Sequence, residues 1–204
     1  MSTLDLDLGL GLGLGLDPLA RVRDALARAR EVERSDPTAM SLATADDRGR
    51  PSVRMVLLKD IDARGLVFFT NRESRKGVEL EQNPFAALCI HWPALGLQVR
   101  VEGPVERISE ADSDAYFATR ARGSQVGAWA SRQSRPLASM AELEAETLAV
   151  EARFPGEIPR PSHWGGYRVV AEHVELWHDR PSRLHERIVF DRAGEGWSMS
   201  RLHP

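Results

Sequence analysis

The stretch AMSLATADDRGRPSVRMVLLKDI, residues 39–61, decides the fold. AMSLATA (39–45) and SVRMVLLKDI (52–61) read as strands, and the Asp, Gly and Pro of DDRGRP between them read as a hairpin connection. DARG (62–65) then leads into a third strand, LVFFTN (66–71). Connections this short join antiparallel neighbours, because a parallel pair needs a crossover of about a dozen residues or more. Downstream, ESRKGVELEQN (73–83) reads as a helix, followed by strands FAALCIHW (85–92) and LQVRVEGPVERI (97–108). Ser109 with Asp112, and Ser139 with Glu142, open two further helices in capping-box arrangements. Strands around 166–178 and 183–192 follow, then a GEGW turn and the tail SMSRLHP. Upstream, Asp17-Pro18 caps a helix in which Leu19, Val22, Leu26, Ala29 and Val32 recur at helical spacing, ending near Asp36-Pro37. The fold expected is α+β: antiparallel strands in a closed or nearly closed barrel with peripheral helices, not a doubly wound parallel sheet.

The chain has 204 residues, enough for one domain with a substantial core. Its first 16 residues, a Leu/Gly repeat, are expected to be a flexible tail, leaving residues 17–204 as a single domain. G-L-G-L-G-L-G does not satisfy G-x-G-x-x-G and follows no strand, so it is not read as a phosphate loop. A net charge of −3 does not draw the chain to nucleic acid or anionic lipid, so any anion site must be built locally. No apolar run approaches the roughly 20 residues needed to span a bilayer. The single cysteine, Cys89, is read as a buried hydrophobe and fits a reducing, cytoplasmic compartment.

Of 27 basic residues only two, Lys59 and Lys76, are lysine. In a chain that otherwise uses Arg, these are candidate positions for a compact ammonium rather than a planar fork. Alternation along 52–61 puts Lys59 on one face with Val53, Met55 and Leu57, where an ammonium needs an anion or a wet mouth. Thr70, Ser74, Arg75 and Lys76 gather where FFTNRESRKG passes from strand to helix, a setting that favours anions. Tyr116 and Arg120, four apart, stack on one helical face; Gly123 permits a turn, and Ser124 opens the next helix. In SRQSRP (131–136), Gln133 and Ser134 carry groups able to read heteroaromatic edges, and Trp177 can stack on a planar ring. Read as a strand, the end of WHDRPSRLHER (177–187) places Arg183, His185 and Arg187 on one face. No metal-binding, nucleophile-elbow or catalytic-cysteine pattern is present, so redox or organic chemistry here calls for a cofactor.

RMVLLK (54–59), FFTNRESRK (68–76), YFATRARGSQVGAWASRQS (116–134), PSHWGG (161–166), ELW (175–177), RLHER (183–187) and RLHP (201–204) together closely resemble the pyridoxamine 5′-phosphate oxidase family. The resemblance runs from about Asp36 to Pro204, with the motifs in the family's order. It implies a split β-barrel homodimer with flavin mononucleotide (FMN) at the subunit interface. Carried over by residue, the FMN-binding positions are Arg54, Met55, Val56, Leu57, Leu58, Lys59, Phe69, Thr70, Arg75, Lys76, Gln98, Gln133, Ser134, Trp177 and Arg187. Lys59, Tyr116, Arg120 and Ser124 match the set that holds the substrate's 5′-phosphate. Arg183 and His185 match the residues that contact the substrate's pyridine ring and orient it for reaction.

The implied reaction converts pyridoxamine or pyridoxine 5′-phosphate with O2 to pyridoxal 5′-phosphate and hydrogen peroxide. The chain departs from the family in two places. The family's N-terminal closing segment carries Arg and Tyr, whereas the only tyrosines here are Tyr116 and Tyr167. Phe69 stands where Tyr is common. Two rival readings are a phenazine-pathway flavin oxidase and a non-catalytic flavin- or pyridoxal-phosphate-binding protein.

Overall fold

Asp17 accepts the Leu19 N–H with its side chain, and Pro18 follows at the first helical position; helix α1 runs Pro18–Val32. The structure, a computed structural model, describes residues 16–204, so residues 1–15 of the expected tail lie outside the described residues. Leu19, Val22, Ala25, Leu26 and Ala29 form the buried stripe of α1 and join the main core. The helix stops at Val32, four residues short of the expected end.

The hairpin expected at 39–61 forms. Strand β1 (Ala39–Ala45) pairs antiparallel with β2 (Pro51–Leu57), in register Ala39 with Leu57 through Ala45 with Pro51. The strand read as 52–61 is broken, however. Leu58 turns into the core at 3% exposure, and a two-residue strand β3 (Asp60–Ile61) resumes against β4 (Gly65–Asn71). At the break the Leu58 N–H donates to Thr38 O and the Lys59 N–H to Val67 O, tying the flanking strands together. The alternation nonetheless carries through the break, with Leu58 buried and Lys59 exposed on the side of Met55 and Leu57.

Ser74 caps α2 (Arg75–Gln82), which leads to β5 (Phe85–Trp92) and the long β6 (Leu97–Arg107). β6 is the branching strand. It pairs with β5 along most of its length, with β8 (His173–His178) from Leu97 to Glu102, and with β7 (Trp164–Val170) from Val105 to Arg107. Gly103 sits where the partner changes. A Cβ there would fall inside the Val170 carbonyl, so only glycine lets the two backbones approach at this corner.

One branch runs β10–β9–β8–β6–β5–β1–β2, with β9 (Glu186–Ala193) and β10 (Gly196–Leu202) at its end; the other runs β6–β7–β4–β3. The sheet thus curls into a split antiparallel barrel, the architecture expected. The tail SMSRLHP (198–204), to which no element was assigned, mostly belongs to strand β10, which begins within the GEGW turn and pairs residue for residue with β9. Its Ser, Met, Ser, Arg alternation carries too little hydrophobicity to signal a strand alone, and the pairing comes from the GEGW turn.

Helices α3 (Glu110–Ala118), α4 (Arg122–Ala130) and α5 (Met140–Arg153) pack on one side around Phe117, Val126 and Trp164. Both serines cap their helices: Ser109 Oγ accepts the Asp112 N–H at 3.0 Å, and Ser139 Oγ accepts the Glu142 N–H at 3.2 Å, while the Glu142 carboxylate reaches back to the Ala138 N–H rather than to that of Ser139. Helix α3, expected to carry both Tyr116 and Arg120, ends at Ala118, before Arg120, and the chain turns at 119–121 rather than at Gly123, which lies inside α4. Cys89, expected to be buried, is half-buried and faces Arg100 across the β5–β6 pair.

Candidate active site

Helices α3 and α4 lean over strands β2 and β4, leaving a cavity of about 570 Å3. Met55, Val56, Leu57 and Lys59 reach it from β2 and its break, Phe69 and Thr70 from β4, Lys76 from α2, and Gln133 from the loop after α4. Tyr116 completes it from α3, Arg120 from the turn that follows and Ser124 from α4. The four residues carried over as a phosphate cradle therefore line one cavity. Three cations face it, and among the described residues no Asp or Glu does. A cavity so lined suits an anion, because confined positive charge without a counter-charge is costly until an anion enters.

Two of these cations are under strain that a ligand would relieve. Lys76, at 7% exposure, donates to Thr70 Oγ1 and Gln133 Oε1 at 3.1 Å each and to Ser74 Oγ at 3.3 Å, all neutral acceptors. Burial, followed by the Arg54 charge, lowers its pKa to about 8 against the opposing pull of Glu79. Arg120 lies over the Trp164 ring at 4.6 Å and the Phe117 ring at 5.4 Å, and its buried Nη1 has no hydrogen-bond partner. Burial also pushes the Arg120 guanidinium below its ordinary range. Beside it Phe69 stacks on Tyr116 at 4.1 Å and on Trp164 at 5.3 Å, so the aromatic wall is rigid. Trp164 lines the cavity and was not singled out by residue type. Only its place in PSHWGG marked it.

Arg54 and Arg75 stand behind this cavity and share one buried carboxylate. Glu79, at 4% exposure, accepts from Arg54 Nη2 at 3.1 Å, Arg75 Nε at 2.8 Å and Ser52 Oγ at 2.6 Å, and also from Thr44 Oγ1. Burial works against this charge, yet the hydrogen bonds from Ser52, Thr44, Arg75 and Arg54 hold its pKa at about 2. Arg75 and Ser134 line a neighbouring cavity of about 370 Å3. Ser134 has φ +70°, one of three non-glycine residues with a left-handed backbone among those described. Leu58 is a core residue and does not line either cavity.

The remaining carried-over residues form a separate cluster. Gln98 on β6 is directly opposite Trp177 on β8, which is directly opposite Arg187 on β9. Opposed residues of an antiparallel pair project to the same face, so the three stand in one row. Arg183 and His185 adjoin that row but are not on a strand, contrary to the reading of 183–187. Residues 181–183 form a 3-10 turn, Ser182 and Arg183 both have φ +61°, and β9 begins only at Glu186. Pro181 starts the turn and breaks the alternation. His185 nevertheless reaches Trp177, with ring centroids 4.4 Å apart. Its Nδ1 faces both the Arg180 N–H at 3.2 Å and the Asp179 carboxylate at 3.1 Å. Without a hydrogen this nitrogen accepts from Arg180, and with one it donates to Asp179.

None of Gln98, Trp177, Arg183, His185 or Arg187 lines the cationic cavity. One chain therefore presents two incomplete clusters. Val53, Met55 and Leu57, on one face of β2, are 70%, 61% and 41% exposed, an apolar strip whose Met55 and Leu57 border the cavity. A strip of this kind marks an association surface.

Two family models match the chain. A family model described as pyridoxamine 5′-phosphate oxidase matches residues 26–154. A second, described as the pyridoxine 5′-phosphate oxidase C-terminal dimerisation region, matches residues 164–204 and contains Trp177, Arg183, His185 and Arg187. A pyridoxine/pyridoxamine 5′-phosphate oxidase of Anaeromyxobacter dehalogenans is 62% identical over 189 residues, covering 92% of this chain and 96% of the relative. One of Myxococcus xanthus is 55% identical over 189 residues, covering 92% of each. Among solved structures, PhzG from Burkholderia lata, in complex with tetrahydrophenazine-1-carboxylic acid, superposes with a TM-score of 0.89 at 31% identity, over 94% of this chain and 95% of that one. A pyridoxamine 5′-phosphate oxidase-related, FMN-binding protein from Nostoc punctiforme shares the fold, with a TM-score of 0.71 at 19% identity over 90% and 95% of the two chains.

Proposed function

The chain belongs to the pyridoxamine 5′-phosphate oxidase family, and from that premise we infer that it is an FMN-dependent oxidase, acting on pyridoxamine or pyridoxine 5′-phosphate to give pyridoxal 5′-phosphate. The observation that carries the choice of substrate is the cavity itself: Lys59, Lys76 and Arg120 face it without a carboxylate among the described residues. Its donors suit two phosphoesters, one on the cofactor and one on the substrate. Bound FMN would supply the two-electron acceptor that the side chains lack, the electrons passing on to dioxygen as hydrogen peroxide.

The protein's own contribution is positioning and charge. Lys59, Tyr116, Arg120 and Ser124 bind the substrate's phosphate, with Arg120 Nη1 donating the hydrogen bond that it lacks without ligand. Arg54, Arg75, Lys76, Thr70, Gln133 and Ser134 hold the cofactor, with Met55, Val56, Leu57, Leu58 and Phe69 shaping its setting. Gln98, Trp177 and Arg187 approach from the second subunit of a homodimer, and Arg183 and His185 fix the substrate's ring for transfer. A composite site of this kind explains why one chain carries two incomplete clusters and an exposed apolar strip on β2. Residues 17–204 act as one FMN-binding domain in this reading, supported by the single sheet that runs from Ala39 to Leu202. No helix among the described residues is long and apolar enough to cross a membrane. A cytoplasmic setting is part of the same reading, supported by the lone cysteine.

The likeness to PhzG favours one other reading, an oxidase acting on a phenazine precursor. Anaerobic addition of pyridoxine 5′-phosphate to the FMN-loaded protein separates the two. Bleaching of the flavin, with peroxide formed when air is admitted, supports the B6 vitamer. An unchanged spectrum with this ester and with pyridoxamine 5′-phosphate rejects it.

A further inference from the structure

We propose that Glu175 is a positioning residue that holds Arg187 as an oriented fork toward FMN, an inference that rests on Arg187 facing the cofactor. Glu175 lies in β8, two residues from Trp177 and on the same face, and is 1% exposed. It is the most deeply buried charged side chain among the described residues. Arg187 grips it with two parallel hydrogen bonds, Nε to Oε1 at 2.8 Å and Nη2 to Oε2 at 3.0 Å. Arg100 Nη2 closes on Oε2 from β6. Burial opposes the charge on Glu175, but Arg187 and Arg100 outweigh it and hold the carboxyl below its usual range.

The geometry fixes what Arg187 has left to offer. A guanidinium carries five N–H groups. Nε and one N–H of Nη2 go to Glu175, and one N–H of Nη1 goes to the His203 carbonyl at 3.1 Å. Two N–H groups remain, one on each terminal nitrogen. Glu175 therefore presents Arg187 as a directional pair of donors whose net charge is largely compensated. A lysine could supply the charge but could not satisfy Glu175 and address a ligand with a fixed fork at once.

Glu175→Gln also separates orientation from charge. Deleting a negative charge beside an anion-binding surface strengthens FMN binding if only Coulomb attraction acts, and weakens it if Glu175 acts by aiming Arg187. The experiment titrates full-length apoprotein with FMN, following flavin fluorescence, for wild type, Glu175→Gln, Arg187→Ala, Arg187→Lys and the Glu175→Gln/Arg187→Ala pair. Expected are a loss of affinity of about tenfold in Glu175→Gln, a similar loss in Arg187→Lys, and no further loss from Glu175→Gln once Arg187 is Ala. A merely structural Glu175 would lower affinity equally in both backgrounds, and that result overturns the proposal. So does wild-type affinity in Arg187→Lys, a variant that tests the fork even if Glu175→Gln does not fold. Unchanged affinity in Arg187→Ala would instead reject the placement of Arg187 at the cofactor.

Discussion

Lys76 Nζ lies 3.1 Å from the side-chain oxygen of Gln133, tying the first turn of α2 to the loop after α4. That bond, with those to Thr70 and Ser74, surrounds a buried ammonium with neutral oxygens only. The arrangement sets two opposite pH dependences. Burial takes the Lys76 pKa from 10.5 to about 8, so between these values the folded apoprotein binds fewer protons than the unfolded chain. The Lys76 contribution to apoprotein stability therefore rises with pH through that window, and its burial penalty is felt in full below about pH 8. FMN affinity runs the other way, falling by up to about tenfold per unit above pH 8 as the ammonium loses its proton. Lys76→Met should flatten both profiles, read by thermal denaturation of the apoprotein and by flavin fluorescence titration. A wild-type affinity that is level from pH 7 to 9.5 would remove Lys76 from the FMN phosphate.

Arg120 is the cavity cation with a free, buried donor, and it is already ordered by the Trp164 and Phe117 rings. Its loss should appear in binding rather than in chemistry. Arg120→Ala is expected to raise KM for pyridoxine 5′-phosphate about 10- to 100-fold, the equivalent of about 1.5–3 kcal/mol for hydrogen bonds to a charged group. Turnover at saturation should stay within about twofold. Unphosphorylated pyridoxine should be handled equally badly by variant and wild type. An equal loss on both substrates would show that Arg120 does not read the phosphate.

Local signals carried most of the fold. The hairpin at 39–57, the capping Ser109 and Ser139 and the Asp17-Pro18 helix start each rest on a few neighbouring residues, and each formed. Tyr116 and Arg120 meet at one cavity for a partly local reason, being four residues apart, with Tyr116 in the last turn of α3 and Arg120 in the turn that follows it. Three things were not local. The Gln98–Trp177–Arg187 row exists only through the register of β6, β8 and β9, across 90 residues of chain. Strand β10 depends on its partner rather than its own residues. Arg183 and His185 looked like strand residues because alternation cannot show that Ser182 and Arg183 turn left-handed. Glu175 could have been found: alternation from Trp177 puts it on the same face, where a buried carboxylate needs cations beside it.

Gly103 makes the barrel corner possible, and its replacement should cost more than its size suggests. A Cβ at this position would enter the Val170 carbonyl, so Gly103→Ala must push β6 away from the β7–β8 connection. A destabilisation of at least about 1–3 kcal/mol is expected, the range for overpacking. Gly123→Ala is the matched control, since nothing lies within 4 Å of its Cβ position and α4 is helical there. That variant should gain about 0.5–1 kcal/mol. Urea denaturation of both variants checks the pair, and equal stabilities would mean that the corner is not set by close backbone approach.

Arg183 combines a left-handed backbone with a proposed role at the substrate's ring. Its φ of +61° costs a side-chain-bearing residue roughly 1–2 kcal/mol, and the preceding Ser182 shares the conformation. Strain persists where the surroundings impose it, and here those surroundings are the Pro181 turn and the start of β9. If the conformation serves to aim the guanidinium at the substrate's ring, relieving it should stabilise the protein while removing activity. Arg183→Gly is expected to be about 1 kcal/mol more stable than Arg183→Ala, because only glycine adopts this backbone without penalty. Both variants should lose turnover by at least about tenfold, and both should remain yellow, since FMN is held by other residues. Denaturation midpoints and turnover with pyridoxine 5′-phosphate, measured on the same two preparations, test the two halves separately. Bleached preparations would place Arg183 on the cofactor instead, and equal stabilities would mean that the turn relaxes once the arginine is gone.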